Sequence, residues 1–120
     1  MKHIVTTVAL SGFLFAMALP TLPRNASAAS FDCDRPDLAA DEKVICDTRA
    51  LNDDDVKMVT TFELLSGLLA MGSRGAMQDE QVEWLKRRHA CGGDADCIRA
   101  AYQERLKQFD EVYNNLNRPL

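Results

Sequence analysis

Four cysteines set the terms on which this chain folds: Cys33, Cys46, Cys91 and Cys97, with twelve residues between the first two and five between the last two. Their use depends on the compartment, and the first residues read as an export signal. Met1-Lys2-His3 is a short basic start, Ile4 to Leu19 is an almost uncharged apolar run, and Pro20 to Arg24 breaks it. Ala26-Ser27-Ala28 then offers the small-x-small pattern that a signal peptidase accepts, so residues 1–28 are expected to be cleaved near Ala28/Ala29. A retained membrane anchor needs about 20 apolar residues, more than this run supplies. No lipidation is expected either, because the first cysteine follows Phe31-Asp32 rather than a lipoprotein motif. The expected location is periplasmic or secreted.

Removal of residues 1–28 leaves 29–120, enough for one small domain with a thin core. All four cysteines lie in that part, and an even count in a small exported chain reads as two disulfides. Three pairings exist on paper. Cys33–Cys46 with Cys91–Cys97 is preferred, since each pair brackets a turn or a short helix. Each loop closed in this way contributes roughly 2–3 kcal/mol through the entropy of the unfolded chain. Structural zinc is disfavoured by the lack of paired C-x₂₋₄-C knuckles, so no metal and no cofactor are expected.

Periodicity makes the domain all-α, a bundle of three to four helices. A short helix is expected over Ala39 to Cys46, with Ile45 and Val44 inward and Asp41 and Glu42 at the positive end of its dipole. Leu51, Asp55, Met58, Phe62, Leu65 and Leu69 recur at helical steps from about Arg49 to Ala70, with Val59 and Leu68 widening the face. Gly67, Gly72 and Gly75 then predict a mobile loop over Met71 to Met77, after which helix resumes to Ala90 and stops at Gly92-Gly93. Asp94 or Asp96 caps a last helix running to about Leu116, whose inward face is Ile98, Ala101, Tyr102, Leu106, Phe109, Val112 or Tyr113, and Leu116.

Within this frame, Gln81, Trp84, Arg88 and Cys91 share one helical stripe, and Ile98, Tyr102, Arg105 and Phe109 share the next. Trp84, Arg88, Tyr102 and Arg105 read as the polar seam of a helical hairpin, completed by Gln81 and Asp55. Asp55 occupies a core position, so its carboxylate needs Arg88, Arg105 or the Trp84 indole N–H.

Inventory argues against catalysis. His89 is the one histidine outside the signal, no Ser, Thr or Cys lies in a nucleophile motif, and a thin domain lacks the deep cleft that separates carboxylate pKa values. Loss of Lys2 and Arg24 leaves 12 basic against 18 acidic residues, a formal charge of −6, which excludes nucleic acid as a natural partner and favours cationic proteins.

The order Phe31-Asp32-Cys33, Glu42-x-x-Ile45-Cys46, Leu51 with Asp55, Gln81-x-x-Trp84-x-x-x-Arg88-x-x-Cys91, Cys97 and Tyr102-x-x-Arg105 resembles the LprI-type lysozyme-inhibitor domain of exported bacterial proteins. The likeness spans nearly all of residues 29–120. It implies an all-helical, two-disulfide envelope domain that inhibits lysozyme or an endogenous muramidase and protects peptidoglycan by protein–protein binding. The chain departs from the family pattern in having Asp54 before Asp55 where Leu is usual and Phe62 where Tyr is usual. Asp53 and Asp54, with the loop at Ser73 and Arg74, are the expected inhibitory contacts. A non-inhibitory envelope scaffold or secretion-associated interaction protein is the alternative.

Overall fold

A computed structural model describes residues 29–116, and the expected signal peptide with its cleavage site lies outside the described residues. Four helices and no strand make up the described part: α1 (Ala40–Asp47), α2 (Arg49–Leu68), α3 (Met71–Ala90) and α4 (Ala95–Asn114). None of them is long and apolar enough to cross a membrane. The disulfides are Cys33–Cys46 and Cys91–Cys97, with Cα atoms 5.8 and 5.6 Å apart. Both expected pairings are therefore present, as is the all-α bundle.

Each boundary has a local cause. At the start of α1 the Glu42 carboxylate reaches back 2.9 Å to the Ala39 N–H, which satisfies one of the donors that a helix start leaves open. Thr48 alone separates α1 from α2. Helix α3 ends where Gly92 turns to φ 56°, a conformation that costs a glycine nothing. Asp94 then caps α4 by accepting from the Asp96 and Cys97 N–H groups at 3.0 and 3.1 Å.

The segment expected to be a loop is helical instead. Helix α3 begins at Met71, and Leu69-Ala70 is the whole connection from α2. Two features outweigh the glycines. The Arg74 guanidinium donates to the Leu69 carbonyl at 3.0 Å, tying the first turn of α3 to the end of α2. Met71, Arg74, Ala76 and Met77 are good helix formers, and each interior glycine costs only about 1 kcal/mol relative to alanine.

Short connections make α3 antiparallel to α2 and to α4, so α2 and α4 run side by side in the same direction. Their contacts climb together: Tyr102 meets Asp55, and the Phe109 ring lies 6.2 Å from Phe62. The core comprises Ile45, Leu51, Met58, Leu65, Met77, Trp84, Ile98, Tyr102 and Phe109, with Val44, Val59, Phe62, Leu69, Leu106, Val112 and Leu116 packed on it. One expectation fails, and one open alternative is decided. Leu68 lies off the buried stripe and is 62% exposed, and of the pair at the end of α4 it is Val112 that packs while Tyr113 is exposed.

Candidate functional site

One end of the bundle, where α1 lies against the start of α2, the end of α3 and the start of α4, buries a cluster of charge. Asp41 and Asp55 are fully buried and Arg88 nearly so. The Arg88 guanidinium donates to Asp41 Oδ2 at 3.1 Å and to the Tyr102 hydroxyl at 3.2 Å, and its Nη1 lies 3.5 Å from Asp55 Oδ1. Tyr102 in turn donates to Asp55 Oδ1 at 2.7 Å. The remaining Asp55 oxygen accepts the Ser30 N–H at 2.6 Å, and the Phe31 ring lies 5.7 Å from the Arg88 guanidinium. Residues 30–31 thus form a strap across the cluster, anchored by the Cys33–Cys46 disulfide.

Burial and attraction compete here. Burial opposes the charge on Arg88, but Tyr102, Asp41 and Asp55 more than offset it, so Arg88 is held above its ordinary pKa. Burial first, then the Asp55 carboxylate, pushes the Tyr102 hydroxyl far above the usual tyrosine value, against the pull of Arg88. Tyr102 is a neutral donor at any physiological pH. The two carboxylates are sealed from solvent, so neither meets a substrate without the bundle opening, and the cluster works as a latch for four elements.

Halfway along, Trp84 and Arg105 continue the seam. The indole N–H of Trp84 donates to the Ala101 carbonyl at 2.9 Å, while its ring packs 5.3 Å from Tyr102. Arg105 donates to Gln81 at 2.9 Å, to Gln108 at 2.8 Å and to the Met77 carbonyl at 3.3 Å, and stacks 4.3 Å over Phe109. Gln81 also donates to the Met58 sulfur at 3.1 Å. Burial lowers the Arg105 pKa, opposed by Glu80 at 3.5 Å. All six expected seam residues are buried, and of the three partners expected for Asp55 it is Arg88 that it meets.

The open surface lies between α3 and α4, where a groove of about 870 Å³ has Arg105 in its floor. Leu69, Ala76, Met77, Val112 and Leu116 give it apolar patches, and Asp79, Glu80, Glu83 and Glu111 line it with carboxylates against Arg87 and Arg105. Glu80 pairs with Arg105, and Glu83 with Lys86 at 2.7 Å. Arg87 lies 3.9 Å from Glu104. Asp79 and Glu111 carry no side-chain ion pair or hydrogen bond among the described residues, which leaves their charge available to a partner.

The residues expected to make an inhibitory contact do not form one surface. Asp53 is exposed and 4.0 Å from Arg49 near the start of α2, and Asp54 is half-buried beside it. Ser73 and Arg74 stand in the first turn of α3, with Arg74 fixed to Leu69. From Asp54 to Leu69 is fifteen residues, or about 22 Å along the helix. Ser73 does line the acidic groove; Arg74 and the two aspartates do not.

Asp41 escaped the sequence reading because it sits in a first turn, where acidic residues are common. Its spacing of four from the buried Ile45 was the available signal. Ser30 and the groove carboxylates had no such signal, since neither a backbone donor nor the far side of a helix pair leaves a periodic trace. Among the described residues no group of three or more His, Cys, Asp or Glu is arranged to hold a metal ion. No protein-family model, no curated protein and no solved structure matches the chain.

Proposed function

We propose that the protein is a periplasmic or secreted binding protein, not an enzyme, that inhibits a cationic peptidoglycan hydrolase, either a lysozyme or an endogenous muramidase. The observation that carries this reading is the α3–α4 groove, whose Asp79 and Glu111 carboxylates stand beside apolar patches with no cation paired to them among the described residues. A basic, partly apolar lip of a hydrolase cleft fits such a surface. The net negative charge would speed the encounter and the groove would hold the complex. Two disulfides are consistent with an oxidising compartment, and the sequence resemblance to LprI-type inhibitors points the same way.

The test is a cell-wall turbidity assay with the processed protein in molar excess over lysozyme. Slowed clearing supports the reading, and undiminished lysis removes lysozyme, leaving capture of an endogenous muramidase from envelope extract as the remaining form of it.

A second reading, a non-inhibitory envelope scaffold, draws on a different surface. Leu64 and Leu68 of α2 stand 65% and 62% exposed beside Leu106, Phe109 and Tyr113 of α4, around an apolar groove of about 520 Å³. Under that reading lysis proceeds unimpeded, while Leu64→Ser with Leu68→Ser loses an envelope partner that charge changes in the acidic groove retain.

A further inference from the structure

The buried cluster does not balance its charge. Two carboxylates, Asp41 and Asp55, are fully buried, and among the described residues Arg88 is the one buried guanidinium between them. One negative charge is left over, and an uncompensated buried charge is strongly destabilising. Arg105 is engaged further along the seam, with Gln81, Gln108 and the Met77 carbonyl. His89 touches the cluster from α3, but its side chain is 69% exposed and faces Asp41, not Asp55.

The open side of Asp55 is filled from the N-terminus. Its Oδ2 accepts the Ser30 backbone N–H at 2.6 Å, the shortest contact in the cluster. Ser30 follows Ala29, the residue at which the Ala26-Ser27-Ala28 pattern places the start of the processed chain. Successive backbone nitrogens lie at most about 3.6 Å apart, so an amine on Ala29 arises within roughly 6 Å of the carboxylate.

We propose that processing completes the cluster: the α-ammonium group created at Ala29 becomes the second cation of the buried site and the ionic partner of Asp55. A signal peptidase adds water across the Ala28–Ala29 peptide bond, leaving a carboxylate on Ala28 and an ammonium group on Ala29. A neutral amide nitrogen is thereby replaced by a positive charge beside a net-negative site. The strap over Arg88 and Asp55 is then held ionically as well as by Cys33–Cys46, and the unprocessed chain is the less stable form. This inference is independent of the inhibitor reading.

The experiment uses the exported, processed protein with its α-amine free or selectively acetylated. Urea unfolding at pH 7 is expected to show about a tenfold larger unfolding constant for the acetylated form, equivalent to one pKa unit of coupling. In Asp55→Asn, acetylation is expected to have no effect. Equal unfolding of the two wild-type forms overturns the proposal, as does an undiminished acetylation effect in Asp55→Asn.

Should Asp55→Asn fail to fold, titration of a ¹³C-methylated N-terminus by NMR replaces it. The titratable groups of the cluster are Asp41 of α1, Asp55 of α2, Arg88 and His89 of α3 and Tyr102 of α4. With the carboxylates in excess, its pKa is expected about one unit above that of the same amine in urea. A pKa at or below the unfolded value overturns the proposal. Intact mass fixes the processed end: a chain starting at Ala29 supports the assignment, and one starting at any other residue overturns it.

Discussion

The two ends of this bundle are built on opposite principles. At the end that holds both disulfides, polar groups are buried and hydrogen-bonded to one another: Arg88 binds Asp41, Tyr102 binds Asp55, and a strap closes over them. Where α2 turns into α3, by contrast, leucines and carboxylates are left in solvent, with Leu64, Leu68 and Met71 exposed and Asp79 and Glu111 unpaired among the described residues. The same residue types thus do different work according to burial. A carboxylate inside fixes the packing of four elements, while a carboxylate outside has charge to offer to another molecule. The largest regular feature of the sequence, the stripe through Gln81, Trp84 and Arg88, belongs to the first kind.

The sharpest way to break the comparison is to remove the cation at the closed end. Arg88→Ala removes the buried guanidinium between Asp41 and Asp55 and is expected to cost about 3–5 kcal/mol, enough to unfold much of a domain this small. Asp79→Asn at the open end should move stability by less than about 0.5 kcal/mol in the same urea titration. Equal losses would mean that the two ends are not distinct.

Disulfide removal grades the closed end itself. Replacing Cys91 and Cys97 by alanine opens a loop of sequence separation 6, and replacing Cys33 and Cys46 opens one of 13 that also anchors the strap. The first is expected to cost about 2 kcal/mol and the second about 3 kcal/mol or more, read as calorimetric shifts in Tm.

A smaller effect appears at high pH. The Tyr102 pKa is raised in the folded protein above its ordinary value of 10.0, so the folded state keeps a proton that the unfolded chain releases. Its contribution is therefore complete below pH 10 and is lost as pH rises beyond it, at up to about 1.4 kcal/mol per pH unit. Tyr102→Phe should lower stability at neutral pH and flatten this alkaline decline. An unchanged slope would place the decline elsewhere.

The smallest change probes the open end. Nothing lies within 4 Å of a Cβ built on Gly72 or Gly75, and neither has a positive φ. Alanine at either site should stabilise by about 0.5–1 kcal/mol, measured by thermal melting, because the first turns of α3 are helix already.

How much was legible follows the same division. Wherever a side chain is buried on a helical stripe, its spacing is visible, so the four helices, the seam and the Asp55–Arg88 pair were all within reach. Cysteine spacing gave the disulfides for a related reason, since each pair closes a local loop. Gly72 and Gly75 misled because glycine weakens a helix without forbidding it, and the Arg74 bond to Leu69 depends on tertiary proximity that no local pattern encodes. The groove was illegible for a different cause. Asp79, Glu83 and Glu111 come together only when α3 and α4 pair, and exposed carboxylates have no period of their own.

The central claim is that the open acidic groove, and not the buried cluster, is the working surface. Its most direct measurement is lysozyme inhibition by the processed protein beside a triple variant, Asp79→Asn, Glu83→Gln and Glu111→Gln, after matched thermal melts show both to be folded. Inhibition by the wild type that falls at least tenfold in the variant, with Tm unchanged, is the predicted result. Equal inhibition by both proteins would contradict the groove assignment, and inhibition of neither lysozyme nor an envelope muramidase would contradict the proposed function itself.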